Sequence, residues 1–242
     1  MTSATTIFRS DMPTPRQGYR AADGVRIPSV TTILSRFKDS GALMKWAYSQ
    51  GREHGRMEAL GQEAPASLYA ETSKAADIGT AAHAMVEVSI NGGKPEMVAS
   101  YLELPDDQRA KARSSFDNYQ RWARMSKLEI LHQELPLISE EYRFAGTPDA
   151  IGIVDGQLCL VDWKTSNAVY SDYLLQLAAY RHLWEVNHPD QVLVGGFHLC
   201  RFSKDHGDFA HHHYAELDDA WEMFKHLRAA YGFDYGIKRR AA

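Results

Sequence analysis

Sulfur chemistry is nearly absent from this 242-residue chain, in which Cys159 and Cys200 are the only cysteines. Two thiols with 40 residues between them supply neither a disulfide framework nor a four-thiolate zinc site. They also exclude an iron–sulfur cluster and point to a reducing compartment. No stretch approaches the roughly 18 apolar residues of a membrane span. The opening MTSATTIFRSDMPTPR has no apolar h-region, so a secretory signal is not expected and the expected location is cytoplasmic. Positive charge is scarce too: 27 Lys and Arg stand against 31 Asp and Glu, a net charge of -4. That excludes coating nucleic acid by bulk charge, so any polyanion must be met by a local basic patch. There is no internal repeat, no low-complexity tract and no G-x4-G-K-[ST] phosphate loop, hence no fused motor.

What is present is a chain with 44% hydrophobic residues, enough for a substantial core. Residues 1–28, rich in Thr, Pro, Arg and Gly, read as an extended arm with turns at Asp23-Gly24 and Pro28. Helical periodicity runs from Ser29 to about Leu60, from about Ser67 to Ile90, and from Pro105 to about Lys127. Strand texture follows at Glu129–Ile138, Tyr142–Val154 and Leu158–Thr165, with a hairpin turn at Asp155-Gly156. A helix over Leu174–Val186, a β pair over Val192–Phe202 and Phe209–Tyr214, and a helix over Asp218–Tyr231 complete the pattern. The order predicts an α/β fold in which helices cover a mixed sheet.

Asp162-Trp163-Lys164 interrupts an otherwise apolar strand. Residues two apart on a strand share a face, so Asp162 and Lys164 project together and Trp163 opposes them. Alone this reads as a structural salt bridge at the strand end. The hairpin, however, brings Asp149 of Gly146-Thr147-Pro148-Asp149 beside Asp162 as a cross-strand neighbour. Two adjacent carboxylates repel, and a hard divalent cation relieves the repulsion. Two helical pairs accompany them: His83 with Glu87 and Gln176 with Tyr180, each four residues apart on one face.

In sequence these pieces read G-x3-H-x3-E, G-T-P-D, V-D-W-K-T and Q-x3-Y, between Gly79 and Tyr180. The pattern resembles the RecB-like branch of the PD-(D/E)XK nuclease superfamily, in particular its free-standing phage and mitochondrial exonucleases. The resemblance implies a restriction-endonuclease-like core of αβββαβ order with an N-terminal helical extension. It divides the chain into an arm and extension (1–65), a nuclease core (66–235) and a basic tail (236–242). It implies Mg²⁺ or Mn²⁺ held by His83, Asp149, Asp162 and the backbone carbonyl of Trp163, with Glu87 and Glu134 as further candidates. Asp149, Asp162, Lys164, Gln176 and Tyr180 are the implied catalytic set, with Lys164 positioning or activating the attacking water. Gln176 and Tyr180 would steady Lys164 or the DNA strand. The implied activity is DNA exonucleolysis in recombination, repair or phage genome processing. The implied partners are DNA ends or single strands, and a recombination or single-strand-binding protein. A structure-specific endonuclease and a DNA-binding module without activity remain alternatives.

The most basic stretch is Arg109–Lys127. On an ideal helix Arg109, Arg113, Arg121, Arg124 and Lys127 fall within an arc of about 120°, opposite Ala112, Phe116, Tyr119 and Trp122. This is the expected DNA-binding ridge, with Arg52, His54 and Arg56 beside Trp46 and Tyr48 as a second lip. Consecutive residues on a strand alternate in direction, so His211-His212-His213 is expected to be exposed and not to gather on one ion.

Overall fold

The turn at Asp155-Gly156 sets the register of the central sheet. Both residues have positive φ, 48° and 84°, which a two-residue hairpin with the right twist requires. In the computed structural model, which describes residues 18–38, 41–63, 70–204 and 206–241, this turn joins β6 (Ala150–Val154) to β7 (Gln157–Thr165). Ahead of them lie β1 (Tyr19–Arg20), β2 (Arg26–Ile27), β3 (Glu129–Gln133), β4 (Leu137–Ser139) and β5 (Phe144–Gly146). After them come β8 (Phe197–Phe202) and β9 (Phe209–Tyr214). The helices are α1 (Val30–Phe37), α2 (Gly41–Ala59), α3 (Ala70–Ile90), α4 (Ala99–Leu102), α5 (Asp106–Met125), α6 (Ser171–Asn187) and α7 (Asp218–Ala241).

The main sheet has the order β3-β6-β7-β8-β9, with only β7 and β8 parallel. This is the mixed sheet flanked by helices that the sequence predicts. Its strands alternate between two cores. Ile151, Leu160, Phe197 and Leu199 pack with α1, α6 and α7 around Val30, Leu183, Trp184 and Phe224. Val161, Trp163, Cys200 and Phe202 pack on the other side with α3 and α5 around Met85, Phe116 and Tyr119.

Five expectations need correction. The strands expected over Glu129–Ile138 and Tyr142–Val154 each break in two, and β4 pairs with β5 in a separate two-stranded sheet. Pro136 and Pro148 stand at the breaks, where they cannot donate to a ladder, and Glu134 has φ 49°. The helix expected over 29–60 is two helices, α1 and α2, and α1 contributes Val30 and Ile33 to the central core. The arm contains the hairpin β1–β2 around the expected turn, and β8 starts only after Gly195-Gly196, where Gly196 has φ 69°. Lys238, Arg239 and Arg240, expected in a tail, continue α7. Among the described residues no helix is long and apolar enough to cross a membrane.

Candidate active site

The β6–β7 ladder ends at Ala150 opposite Val161, so one further step sets Asp149 against Asp162. The Asp149 carboxylate turns in at that step and accepts a hydrogen bond from the Trp163 backbone N–H at 2.9 Å. Asp162 shares its face with Leu160 and, in the next strand, Leu199, which places it on the α1, α6 and α7 side. It is completely buried. The Lys164 ammonium lies 2.5 Å from Asp162 Oδ2 as an ion pair, and no hydrogen bond of good geometry reaches either carboxylate oxygen. Burial, then the Asp149 charge, push the Asp162 carboxyl up to about 7 against the pull of Lys164. Burial also works against the Lys164 ammonium, but Asp162 and Asp149 outweigh it and raise its pKa.

Helix α6 closes the site. Gln176 Nε2 donates to Tyr180 Oη at 2.8 Å, and the Tyr180 ring is buried. The ring packs against Gly146, where a Cβ would come within 2.6 Å of Tyr180 Cε1. That close approach explains the glycine ahead of Thr147-Pro148-Asp149. One turn earlier on the same helix, Lys164 Nζ stands over the Tyr173 ring at 5.6 Å, a cation–π contact. Tyr173, Gln176 and Tyr180 follow the spacing of a single helix face, a signal in the sequence that would have found Tyr173. Tyr19, whose Oη is 2.7 Å from Thr147 Oγ1, carried no such signal because the contact spans 128 positions.

The remaining candidates lie apart from this cluster. His83 is on α3, on the Trp163 side of the sheet, with ring centroids 6.3 Å from Trp163 and 6.5 Å from Phe202. Its Nε2 is 3.4 Å from Glu87 Oε1. Gly79, one turn earlier, brings α3 against the end of β7, since a Cβ there would overlap Thr165 Cγ2. Glu134 is exposed, and its backbone N–H donates to the Asp149 carbonyl at 3.1 Å. On α5, Arg109 pairs with Asp106, Arg113 with Asp117 at 2.9 Å, and Arg121 donates to Asn118 at 3.4 Å. Arg124 is in the last turn of α5 and Lys127 just beyond it, so the ridge belongs to the face of the sheet opposite Asp162. On α2, Tyr48 is exposed and Arg56 lies 3.6 Å from Glu53, while the Trp46 side chain falls outside the described residues. The histidine run corrects another expectation: His211 is half-buried, hydrogen-bonds to His198 at 2.9 Å and lies with its ring centroid 4.5 Å from that of Trp122.

The profile of the PD-(D/E)XK nuclease superfamily matches residues 44–231. The chain belongs to that superfamily. It is therefore a nuclease by family, with the α/β fold expected of one. No curated protein matches the chain. Two solved structures resemble this PD-(D/E)XK protein. A presumed exonuclease from Eubacterium rectale is 12% identical, with TM-score 0.45 over 63% of this chain and 68% of that one. A protein named SSO0001 is 14% identical, with TM-score 0.31 over 78% of this chain and 84% of that one. At such identities and TM-scores no property of either protein transfers to this chain.

PD-(D/E)XK nucleases generally use divalent cations such as Mg²⁺. The donor set here fits such an ion: a buried carboxylate whose close partner is the Lys164 ammonium lies beside a second carboxylate, and both offer hard oxygen atoms. Among the described residues no three His, Cys, Asp or Glu side chains converge as a metal site. Mg²⁺ characteristically takes one or two carboxylates and keeps several waters, so two suffice.

Proposed function

We propose that this PD-(D/E)XK nuclease is a Mg²⁺- or Mn²⁺-dependent DNA exonuclease. The observation that carries the proposal is the fully buried carboxylate of Asp162 set against Asp149, with the Lys164 ammonium as its ion-pair partner on the same face. Asp149, Asp162 and the Trp163 carbonyl would hold the ion. A bound divalent ion supplies charge neutralisation at the phosphate and lowers the pKa of a coordinated water.

The chain's own residues do the rest. Asp149 is oriented by the Trp163 N–H, so its free oxygen points along a fixed direction. Lys164 keeps its proton at Nζ, because two carboxylates face it, and contributes a cation for a phosphate oxygen. The Tyr173 ring and the Asp162 carboxylate confine that ammonium. Tyr180 holds Gln176 and walls the site from water on the α6 side. The exonuclease reading and a role in recombination, repair or phage genome processing rest on the motif order, which resembles free-standing RecB-like exonucleases.

Linear and covalently closed circular DNA, each single- and double-stranded and labelled internally, would be incubated with Mg²⁺, Mn²⁺, Ca²⁺ or excess chelator. Mononucleotides or short products from linear DNA alone, with Mg²⁺ or Mn²⁺, are expected. Ca²⁺ should bind without turnover, being larger and less geometrically strict. Cleavage of the circles would make the chain an endonuclease, and DNA binding without any product would make it a binding module. Full activity in chelator would remove the metal from the account.

A further inference from the structure

Resting on that reading, we infer that the groove between the β1–β2 hairpin and α7 holds an unpaired DNA strand leading to Asp149. The groove has a volume of about 970 Å³, and Thr147 and Tyr180 are among its lining residues. Thr147 is two residues from Asp149, and Tyr180 carries the hydrogen bond from Gln176, so the groove opens onto the carboxylate side of the sheet. Among the described residues its lining contains Arg26, Arg228 and Arg239 and no acidic side chain, in a chain whose net charge is -4. The acids nearest in sequence are occupied. Asp23 pairs with Arg143 at 2.9 Å, and Asp234 is clasped by Arg36 at 2.8 Å and Lys238 at 3.1 Å.

Tyr19, Tyr231 and Tyr235 also line the groove. Arginine with tyrosine is the composition that tracks phosphates and stacks unpaired bases. A duplex turns its bases inward and offers a groove only phosphates, so the tyrosines favour a single strand over a helix. Arg228 gives two of its donors to the Arg143 carbonyl, at 3.2 and 3.0 Å, which fixes its guanidinium and leaves three N–H groups of its fork. Arg26, Tyr235 and Arg239 are exposed and serve as the test positions.

In an Asp162→Asn background, Arg26→Ala, Tyr235→Ala and Arg239→Ala would be combined, with an unchanged melting temperature as the folding control. Affinity for a fluorescent 20-mer oligo(dT) and for a blunt duplex hairpin would be measured across a salt series. Single-strand affinity is expected to fall at least tenfold. The slope of log affinity against log salt should flatten by about 0.7 for each arginine lost. Duplex affinity should change less than threefold. An unchanged single-strand affinity and slope would overturn the groove while leaving the nuclease reading intact. Equal losses for both DNAs would overturn the preference for an unpaired strand, as would displacement by polyglutamate as effective as by unlabelled oligo(dT). Failure of the Asp162→Asn parent to bind either DNA would overturn the DNA reading itself, and the groove with it.

Discussion

Asp162 and Asp149 bring two negative charges to a place where Lys164 supplies one positive charge, and Asp162 has no solvent to share the excess. The metal-free protein should therefore tolerate removal of one carboxylate. Asp162→Asn makes the site neutral and removes the desolvation that holds the carboxyl near 7. Its metal-free melting temperature should equal or exceed that of the wild type. Mg²⁺ should stabilise the wild type, by about 2.7 kcal/mol at a hundredfold excess over Kd, and should not stabilise Asp162→Asn. Lys164→Ala separates a ligand from a cation: it should lower kcat by about 10²–10³-fold while keeping the Mg²⁺-dependent rise in melting temperature. Melting curves over a Mg²⁺ titration, alongside single-turnover cleavage, check both. An Asp162→Asn protein that still cleaves and still responds to Mg²⁺ would contradict the assignment of this residue.

The elements that position the site were legible where their signals are local. The Asp155-Gly156 turn, the period-two strand around Asp162 and the four-residue spacing of Gln176 and Tyr180 each involve neighbours in sequence, and each appears in the fold. Tyr173 obeys the same helix spacing, but an aromatic three residues from Gln176 has the same pattern as a core-facing residue. The strand breaks lie at Pro136 and Pro148, single residues without an N–H inside stretches of otherwise continuous β texture. Tyr19, α1 and the groove-facing part of α7 join the site only through long-range packing, which no local pattern reports.

Gly79 shows how one such contact can be tested. A methyl there would overlap Thr165 Cγ2 and come within 3.2 Å of the Ser203 carbonyl. Alanine gains up to about 1 kcal/mol of helix propensity over glycine, but overpacking costs about 1–3 kcal/mol, so the clash wins. Gly79→Ala should lower the melting temperature, and Thr165→Ser, which deletes the offending methyl, should recover most of the loss. A thermal double-mutant cycle measures the coupling. Additive losses would mean that α3 does not rest on Thr165.

At the scale of the whole molecule, one sheet carries two buried titrating groups on opposite faces, and they bias stability against pH in opposite senses. His198 on β8 faces Trp122, His211 and His213. Burial first, then the neighbouring histidines, push His198 and His211 down to about 4. Between pH 6.5 and 4 the unfolded chain takes up protons that these imidazoles refuse, so stability is lost as pH falls through that window. Asp162 works the other way. Its native carboxyl holds a proton up to about 7 that the unfolded chain releases near 3.8, so stability is lost as pH rises between those values. In metal-free wild type Asp162 offsets about one of the two imidazole slopes, so its melting temperature should climb with pH over this window more gently than that of Asp162→Asn. Asp162→Asn removes one slope and should expose the other, with a melting temperature that climbs with pH over the same window. Adding His211→Gln should flatten that climb, because one imidazole and one neighbour of His198 are gone. Saturating Mg²⁺ should give wild type the same upward trend, since the ion is held by ionised Asp162 and its binding releases the proton. Differences between variants cancel the surface carboxylates common to all. A melting temperature for Asp162→Asn that stays level from pH 4 to 6.5 would show that the histidine cluster titrates normally in the folded protein.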